Sequence, residues 1–554
     1  MPAEARCGTW EVFENREART GRKIPLHVVV LPATGPDRLT DPLVYFAGGP
    51  GDASIPEGLA VVRELASLRR KRDALLVDLR GTGQSGGLSC TELKGDASGQ
   101  GFLDSFFPAD KVRACRDRLK KEVDLSWYTT DAAVDDVEEV RTALGYGPLN
   151  LIGGSYGTRA VLTYMRRHSR SVRTATLDGV VAPDARVPLG LARATQKALD
   201  GLIAECEGDA ACHDAFPKLR TELDAVVRQV TSEPVRVELK DPNGQPMEIR
   251  LSRSGLLQTL RYKLYVPSEA AQIPAAIHEA AQGNWKPLAV SARLYGNITR
   301  STAEGFYLSV TCAEDVAFIR DEAVAPAVAG TLLGDFRIRQ QKAACEGWPT
   351  RALGPEVQAP VVSDVPALLI SGERDPATPA YDGERVARTL KHARQVVIPD
   401  AGHGRDGMRD EGCIVGLATA FIEAGKAEGL DTSCVAGIRR PDFVLGLVPF
   451  DKPAEPEVAV ARADLGRLVG SYTAPEMGVL LKVELVEDRL RLSVLQGPPF
   501  PPALLIPTSP TRFRWEGEGL APGLMVEFVL AGDKASALKI VQPGKPELIL
   551  ARSE

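Results

Sequence analysis

Long apolar runs are missing from this sequence. A membrane-spanning helix needs roughly 20 consecutive apolar residues, and the apolar stretch near the start, LHVVVL at 26–31, is only strand-sized. No membrane span is expected. Basic charge is also scarce: the net charge is -6 and the pI is near 5.8. Beyond RRKR at 69–72, which reads as a solvated helix face, no basic stripe appears, so nucleic acid is excluded as a partner. Neither CxxC nor HxxxH spacing occurs, which leaves no zinc site to expect, and no metal or organic cofactor is implied. The glycine loop DLRGTGQSG at 78–86 carries no lysine in a phosphate-loop arrangement, so it reads as scaffolding, with Arg80 anchoring loops by ion pairing. Internal repeats and low-complexity tracts are absent. The chain opens without a charged n-region and apolar h-region, so any export signal is expected to have been removed or never to have existed.

What is present is a soluble globular composition. With 554 residues, 44% hydrophobic and 25% charged, the chain is too long for one ordinary core and too apolar for wholesale disorder. Two or three domains are expected. Eight of the nine cysteines fall into sequence-local couples: Cys90 with Cys115, Cys206 with Cys212, Cys312 with Cys345 and Cys413 with Cys434, leaving Cys7 alone. Sequence alone does not select among their pairings. Loops closed by such couples suit an oxidising compartment, secreted or in the cell envelope, the alternative being buried free thiols in a cytosolic enzyme.

Short apolar runs at 24–32, 43–47, 74–78, 149–152, 174–178, 367–371 and 395–399 are each followed by Gly, Asp or Pro, with helical patterns between several of them. In DAAVDDVEEVRTALG, 131–145, apolar residues at 133, 134, 137, 140, 143 and 144 mark one helix face. Apolar strands alternating with helices predict an α/β domain, a parallel sheet covered on both faces, over 1–182 and 364–440. Residues 183–363 read as a mostly helical cap inserted on top of it, with one hairpin whose turn holds Pro242, Asn243 and Gly244. A Pro- and Ala-rich linker at 441–463 leads to alternating segments over 464–554, which predict a small antiparallel β module, a barrel by its frequent turns.

Within LNLIGGSYGTRAVLTYMRR, 149–167, Ser155 sits between a strand and a helix with Gly153 and Gly157 on either side. A serine on that sharp turn adopts strained backbone angles, and small neighbours let strand and helix approach it. The turn pushes the hydroxyl outward and aims the helix N-terminus at whatever oxygen forms there. Of the six histidines, His403 alone lies in a glycine-flanked loop after the last sheet strand, where it reaches back to Ser155 as a base. The acid should follow the serine and precede the histidine. Asp375 and Asp178 both satisfy that order; Asp375 is favoured, because Pro376 and Pro379 stiffen its loop and adjacent strands bring it to His403. Oxyanion donors are expected from the N–H of Tyr156 and, in YFAGGPGDAS, from that of Gly49.

These motifs, with YTTDAAVDDVEEVRTALG, LDGVV, TCAED, CEGWP and ISGERDPATP followed by AGHG, together resemble the secreted tripeptidyl aminopeptidase branch of the proline iminopeptidase family of α/β-hydrolases, over about residues 7–440. The resemblance implies an α/β-hydrolase fold, a helical cap and serine exopeptidase activity at free N-termini. It places Ser155, Asp375 and His403 at the family's triad positions and favours the four cysteine couples as disulfides. Two departures stand out: Ala47 replaces the histidine that single-residue iminopeptidases usually show before GGPG, and the β module, similar to modules appended to other serine hydrolases, lies outside the pattern. Glu314 and Asp315 in TCAEDVAF are the candidates to hold a substrate ammonium. A carboxylesterase on the same machinery is the alternative. A non-enzymatic scaffold would require a vestigial triad.

Overall fold

The computed structural model describes residues 5–93, 100–240, 246–298, 302–447, 456–474, 479–496, 503–515, 524–541 and 547–553. The strands, in chain order, are β1 (Arg6–Phe13), β2 (Lys23–Leu31), β3 (Leu43–Phe46), β4 (Ala74–Val77), β5 (Leu149–Gly154), β6 (Val172–Asp178), β7 (Val235–Lys240), β8 (Pro246–Leu251), β9 (Ala367–Gly372) and β10 (Ala393–Ile398). All but β7 and β8 form one sheet, ordered β1-β2-β4-β3-β5-β6-β9-β10. From β4 to β10 every pairing is parallel, but β1 pairs antiparallel to β2 and β2 antiparallel to β4. The sheet is therefore mixed, a correction to the purely parallel one expected. β1, exposed along most of its length, carries no continuous apolar run and left no signal of its own.

Side chains alternate between the two faces of each strand. Leu75, Leu151 and Leu369 pack on one face with Ala133, Val137, Val140 and Val161, from the helices Thr130–Ala143 and Tyr156–Arg167. Leu76, Ile152, Leu368 and Ile370 pack on the other, against Ile55 and Val62 of the helix Ser54–Glu64 and Leu417 and Phe421 of the helix Gly412–Ala424. Both faces are thus dry, which is why these strands read as continuous apolar runs.

Between β6 and β9 the chain is mostly helical and builds a separate apolar core around Leu199, Ile203, Leu223, Val226, Leu257 and Ile277. Strands β7 and β8 pair as the expected hairpin, while Pro242, Asn243 and Gly244 lie outside the described residues. At the C-terminal end β11 (Gly470–Ala474), β12 (Val479–Val486), β13 (Arg489–Gln496), β14 (Ala503–Pro507), β15 (Arg512–Trp515), β16 (Met525–Ala531), β17 (Lys534–Val541) and β18 (Leu548–Arg552) close into an antiparallel barrel. Tyr472, Phe513, Val526, Leu538 and Leu550 fill it, so it is a packed core rather than a ligand channel.

The four cysteine couples are disulfides: Cys90–Cys115, Cys206–Cys212, Cys312–Cys345 and Cys413–Cys434. The RRKR segment is not a solvated helix face. Arg72 is buried and pairs with Asp41 at 3.0 Å. Arg80 is wholly buried: its guanidinium donates to both Asp136 oxygens at 2.7 and 2.8 Å and to the carbonyls of Glu14, Trp127 and Phe13. One cation thereby ties the β1–β2 turn and the segment before Thr130 to a sheet-covering helix. Asp136→Ala would strand that charge in the interior, and removing one partner of a buried pair costs about 3–5 kcal/mol. Denaturant unfolding of the variant is expected to show a loss of that size, and a loss within the range of a surface substitution would contradict the role given to the pair.

Candidate active site

The turn between β5 and the helix Tyr156–Arg167 holds Ser155 at φ 52°, in the left-handed region. Such a conformation costs a non-glycine residue free energy and persists only where its surroundings over-determine it. Here they do. The Ser155 N–H donates to the Asp178 carbonyl at 2.8 Å, and the Ser155 carbonyl accepts from the Thr158 N–H at 2.9 Å and the Thr158 hydroxyl at 2.7 Å. The helix packs so closely that a Cβ on Gly157 would lie 2.0 Å from the Phe46 carbonyl oxygen, and one on Gly153 would lie 2.5 Å from that of Gly157. Because the helix begins at Tyr156, the Tyr156 N–H at its first position has no intrahelical acceptor and remains available to an anion.

The loops after β9 and β10 carry the other two residues. His403 Nδ1 lies 2.8 Å from Asp375 Oδ2, and the Asp375 carboxylate also accepts from the N–H groups of Ala377 and Thr378 at 2.7 and 2.8 Å and from the Thr378 hydroxyl at 2.6 Å. Burial would raise the Asp375 carboxyl, but His403 and these donors outweigh it and hold it below the usual carboxylate range. Burial alone would lower the His403 imidazole; the Asp375 charge and hydrogen bond turn the net shift upward. Thr378 Oγ1 also lies 3.0 Å from His403 Nδ1. Across the ring, Gly179 at φ 68° makes room: a Cβ there would stand 3.2 Å from His403 Cε1. Asp178, the other acid the sequence allowed, accepts instead from Arg405 at 2.6 Å.

Ser155, Tyr156, His403 and Gly49 all line one cavity of about 530 Å³, with the sheet's loop ends below and cap residues such as Tyr265 and Tyr307 around it. Of the two acids picked from TCAEDVAF, Asp315 lines this cavity, but its oxygens accept from Arg159 at 2.9 Å and from the Val187 N–H at 2.9 Å. Glu314 is not among the lining residues; its two oxygens accept from the Thr130 N–H and hydroxyl, both at 2.7 Å, and burial pushes its carboxyl up to about 7. Asp178 and Glu304 also line the cavity, and so do Asp52 and Glu57. A Cβ on Gly48 would sit 3.3 Å from Ser155 Cβ and 3.6 Å from Asp52 Oδ2, which sets Asp52 beside the serine. Burial raises both Asp52 and Glu57, the latter to about 7 with the Asp52 charge adding to it. Their polar partners are neutral: the Thr302 hydroxyl at 2.7 Å for Asp52 and the Tyr45 hydroxyl at 3.0 Å for Glu57.

Sequence reasoning passed over Asp52, Glu57 and Thr378, although Asp52 lies within the quoted YFAGGPGDAS, Thr378 within ISGERDPATP, and Glu57 three residues beyond the former. For a metal, the one grouping of three potential ligands among the described residues is Cys90, Glu92 and Cys115, and its sulfurs are tied in a disulfide.

Fold and site together define a serine hydrolase of the α/β-hydrolase fold. Residues 41–209 match the family described as alpha/beta hydrolase fold, and residues 331–434 match the TAP-like protein family. Serine protease Hip1 of Mycobacterium tuberculosis is 26% identical over 480 residues, covering 78% of this chain and 88% of its own. A tripeptidyl aminopeptidase of Streptomyces lividans is 23% identical over 467 residues, covering 78% and 84%. Among solved structures, the proline iminopeptidase of Mycobacterium smegmatis aligns with 76% of this chain and 98% of its own at 15% identity and a TM-score of 0.34. The chain thus has the α/β-hydrolase fold and is similar to serine peptidases over most of its length.

Because the helix rests on the β3 backbone, Gly157→Ala is expected to be refused. The added methyl would meet a main-chain oxygen at 2.0 Å, so the helix must move off the sheet. Overpacking of this kind costs about 1–3 kcal/mol or more. Denaturant unfolding and hydrolysis of a small ester should both fall; an alanine variant with wild-type stability and rate would show that the close approach is not needed.

Proposed function

We propose that this protein is a serine aminopeptidase working through an acyl-enzyme. In this reading the Ser155 hydroxyl attacks the peptide carbonyl and His403 takes its proton, then returns it to the leaving amine. Asp375 keeps the imidazole in the right tautomer and stabilises the imidazolium, with the Thr378 hydroxyl steadying the carboxylate. The N–H groups of Tyr156 and Gly49 receive the oxyanion, and water hydrolyses the acyl-enzyme. We divide the chain into a catalytic domain, 1–182 and 364–440, a cap at 183–363, a linker at 441–463 and the barrel module at 464–554.

The free N-terminus is supported by one observation above the others. Asp52 and Glu57 stand together at the cavity wall with neutral partners and raised carboxyls, an arrangement that a substrate ammonium would relieve by supplying the countercharge. We assign the ammonium to them in preference to Glu314 and Asp315, whose oxygens are already engaged. The names carried by the relatives support peptides as the substrate class and tripeptides as the released unit. Four disulfides support an extracytoplasmic setting, secreted or in the cell envelope.

The deciding comparison is hydrolysis of a short peptide anilide with a free α-amine against its N-acetylated form, with Ser155→Ala as the control. Strong preference for the free amine, lost with Ser155→Ala and weakened by Glu57→Gln, is expected. Equal or faster turnover of the blocked compound would move the assignment to a carboxylesterase.

The proton acceptor predicts a pH profile. His403 must be neutral to act as base, so kcat/KM should rise with pH through an apparent pKa above that of a free imidazole. Asp375→Asn removes the charge that raises it: the limb should move to lower pH and the rate should fall by about 10⁴. A limb that stays put in Asp375→Asn and moves in Glu57→Gln would belong to the ammonium site instead.

A further inference from the structure

Four arginines line the catalytic cavity, and they fall into two kinds. Arg159 and Arg405 are neutralised in place, by Asp315 at 2.9 Å and Asp178 at 2.6 Å. Arg261 and Arg337, both from the cap, are not. Arg261 is 6% exposed and Arg337 5% exposed, and no carboxylate pairs with either among the described residues. Arg337 has Nε and Nη1 buried without a hydrogen bond, its guanidinium lying 3.7 Å from the centre of the Phe106 ring. Arg261 donates to the Tyr265 hydroxyl, leaves Nε unpartnered, and stacks 5.2 and 4.9 Å from the rings of Tyr262 and Tyr265. Tyr265 in turn meets the His403 ring edge-on at 4.9 Å, so this cationic wall is one aromatic ring from the reaction centre.

Burying a guanidinium without a counterion is unfavourable, and two that feel each other's charge compound it. Aromatic faces offset part of that cost but leave the planar N–H edges unused, and those edges match a carboxylate. We infer that Arg261 and Arg337 form a subsite for a carboxylate of the substrate peptide. This rests on the peptidase reading above and adds to it. The cavity is then bipolar, with Asp52 and Glu57 at the wall formed by the loop and helix that follow β3 and the arginine pair in the cap. The helix bearing Arg337, Phe336–Cys345, is fastened by Cys312–Cys345 to the helix Glu304–Glu314, which holds the cation against the cavity.

The carboxylate could be an Asp or Glu side chain or the C-terminus of a short peptide, and two arms separate these. In the first, free-amine peptides of equal length carry Glu or Gln at each position around the scissile bond. In the second, short neutral peptides end in a free carboxylate or in an amide. At one position of the first arm, or in the second, the acid form should be favoured by about 10-fold or more in kcat/KM, as expected for a charged hydrogen bond in a dry site. Arg337→Gln and Arg261→Gln should bring that ratio towards one, while Arg337→Lys should keep part of it. A wild-type enzyme that cleaves the Gln or amide form as well as its carboxylate counterpart in both arms overturns the inference while leaving the aminopeptidase reading intact. So does a preference that survives in both glutamine variants. Should neither variant fold, the wild-type ratios decide alone. Cleavage of blocked substrates only would instead sink the aminopeptidase reading.

Discussion

The left-handed backbone at Ser155 is the constraint around which the rest of the site is arranged. A serine at φ 52° is tolerable only if the strand before it and the helix after it are fixed independently, and both are. β5 lies between β3 and β6 with its side chains dry on both faces, and the helix Tyr156–Arg167 is buried along nearly its whole length. Close approach at Gly153 and Gly157 leaves the turn no room to relax. The free energy of packing two layers onto a sheet thereby holds one hydroxyl at the loop ends, where β9 and β10 deliver Asp375 and His403.

Electrostatics inside the cavity follow a simple division. Charges that belong to the scaffold carry their counterions with them, as Arg80 does with Asp136, Arg159 with Asp315 and Arg405 with Asp178. The four cavity-wall charges assigned above to the substrate do not: Asp52 and Glu57 have neutral donors, and Arg261 and Arg337 have tyrosine and phenylalanine rings. An unpaired charge in a site of low dielectric destabilises the fold, so each such group is retained against a stability penalty. The His403–Asp375 couple stands between the two kinds, paired in the resting enzyme and strengthened as the imidazole gains its proton.

How far the sequence could be read depends on how local each signal is. The central strands were legible because burial on both faces writes unbroken apolar runs, and Ser155 because its turn demands glycines two residues away on either side. β1 was not legible, since an exposed edge strand with polar partners follows no apolar period. The antiparallel start of the sheet is likewise a matter of topology, set by which strands become neighbours. For the ammonium, proximity in sequence pointed to Glu314, whereas a backbone N–H and hydroxyl at Thr130, 184 residues distant, take up its charge. RRKR shows the reverse case: a run that reads as solvated contains Arg72, which is buried against Asp41 because the strand it precedes is central.

Selectivity is harder to read than chemistry for the same physical reason. Attack, proton transfer and oxyanion binding need small neighbours and strained turns, so they leave glycines and prolines in short motifs. A pocket wall needs only that side chains from distant helices converge, and nothing within Arg253–Lys263 or Phe336–Cys345 marks Arg261 or Arg337 among the 67 Lys and Arg residues of the chain. What marks them is burial without a carboxylate partner, a property of the folded cap alone. The cap that carries them is inserted between β6 and β9 and braced by Cys312–Cys345, apart from the strands β5, β9 and β10 that lead into the turn and loops of Ser155, Asp375 and His403. In the proposed reading the reaction is held by the sheet and the choice of substrate by the insertion above it.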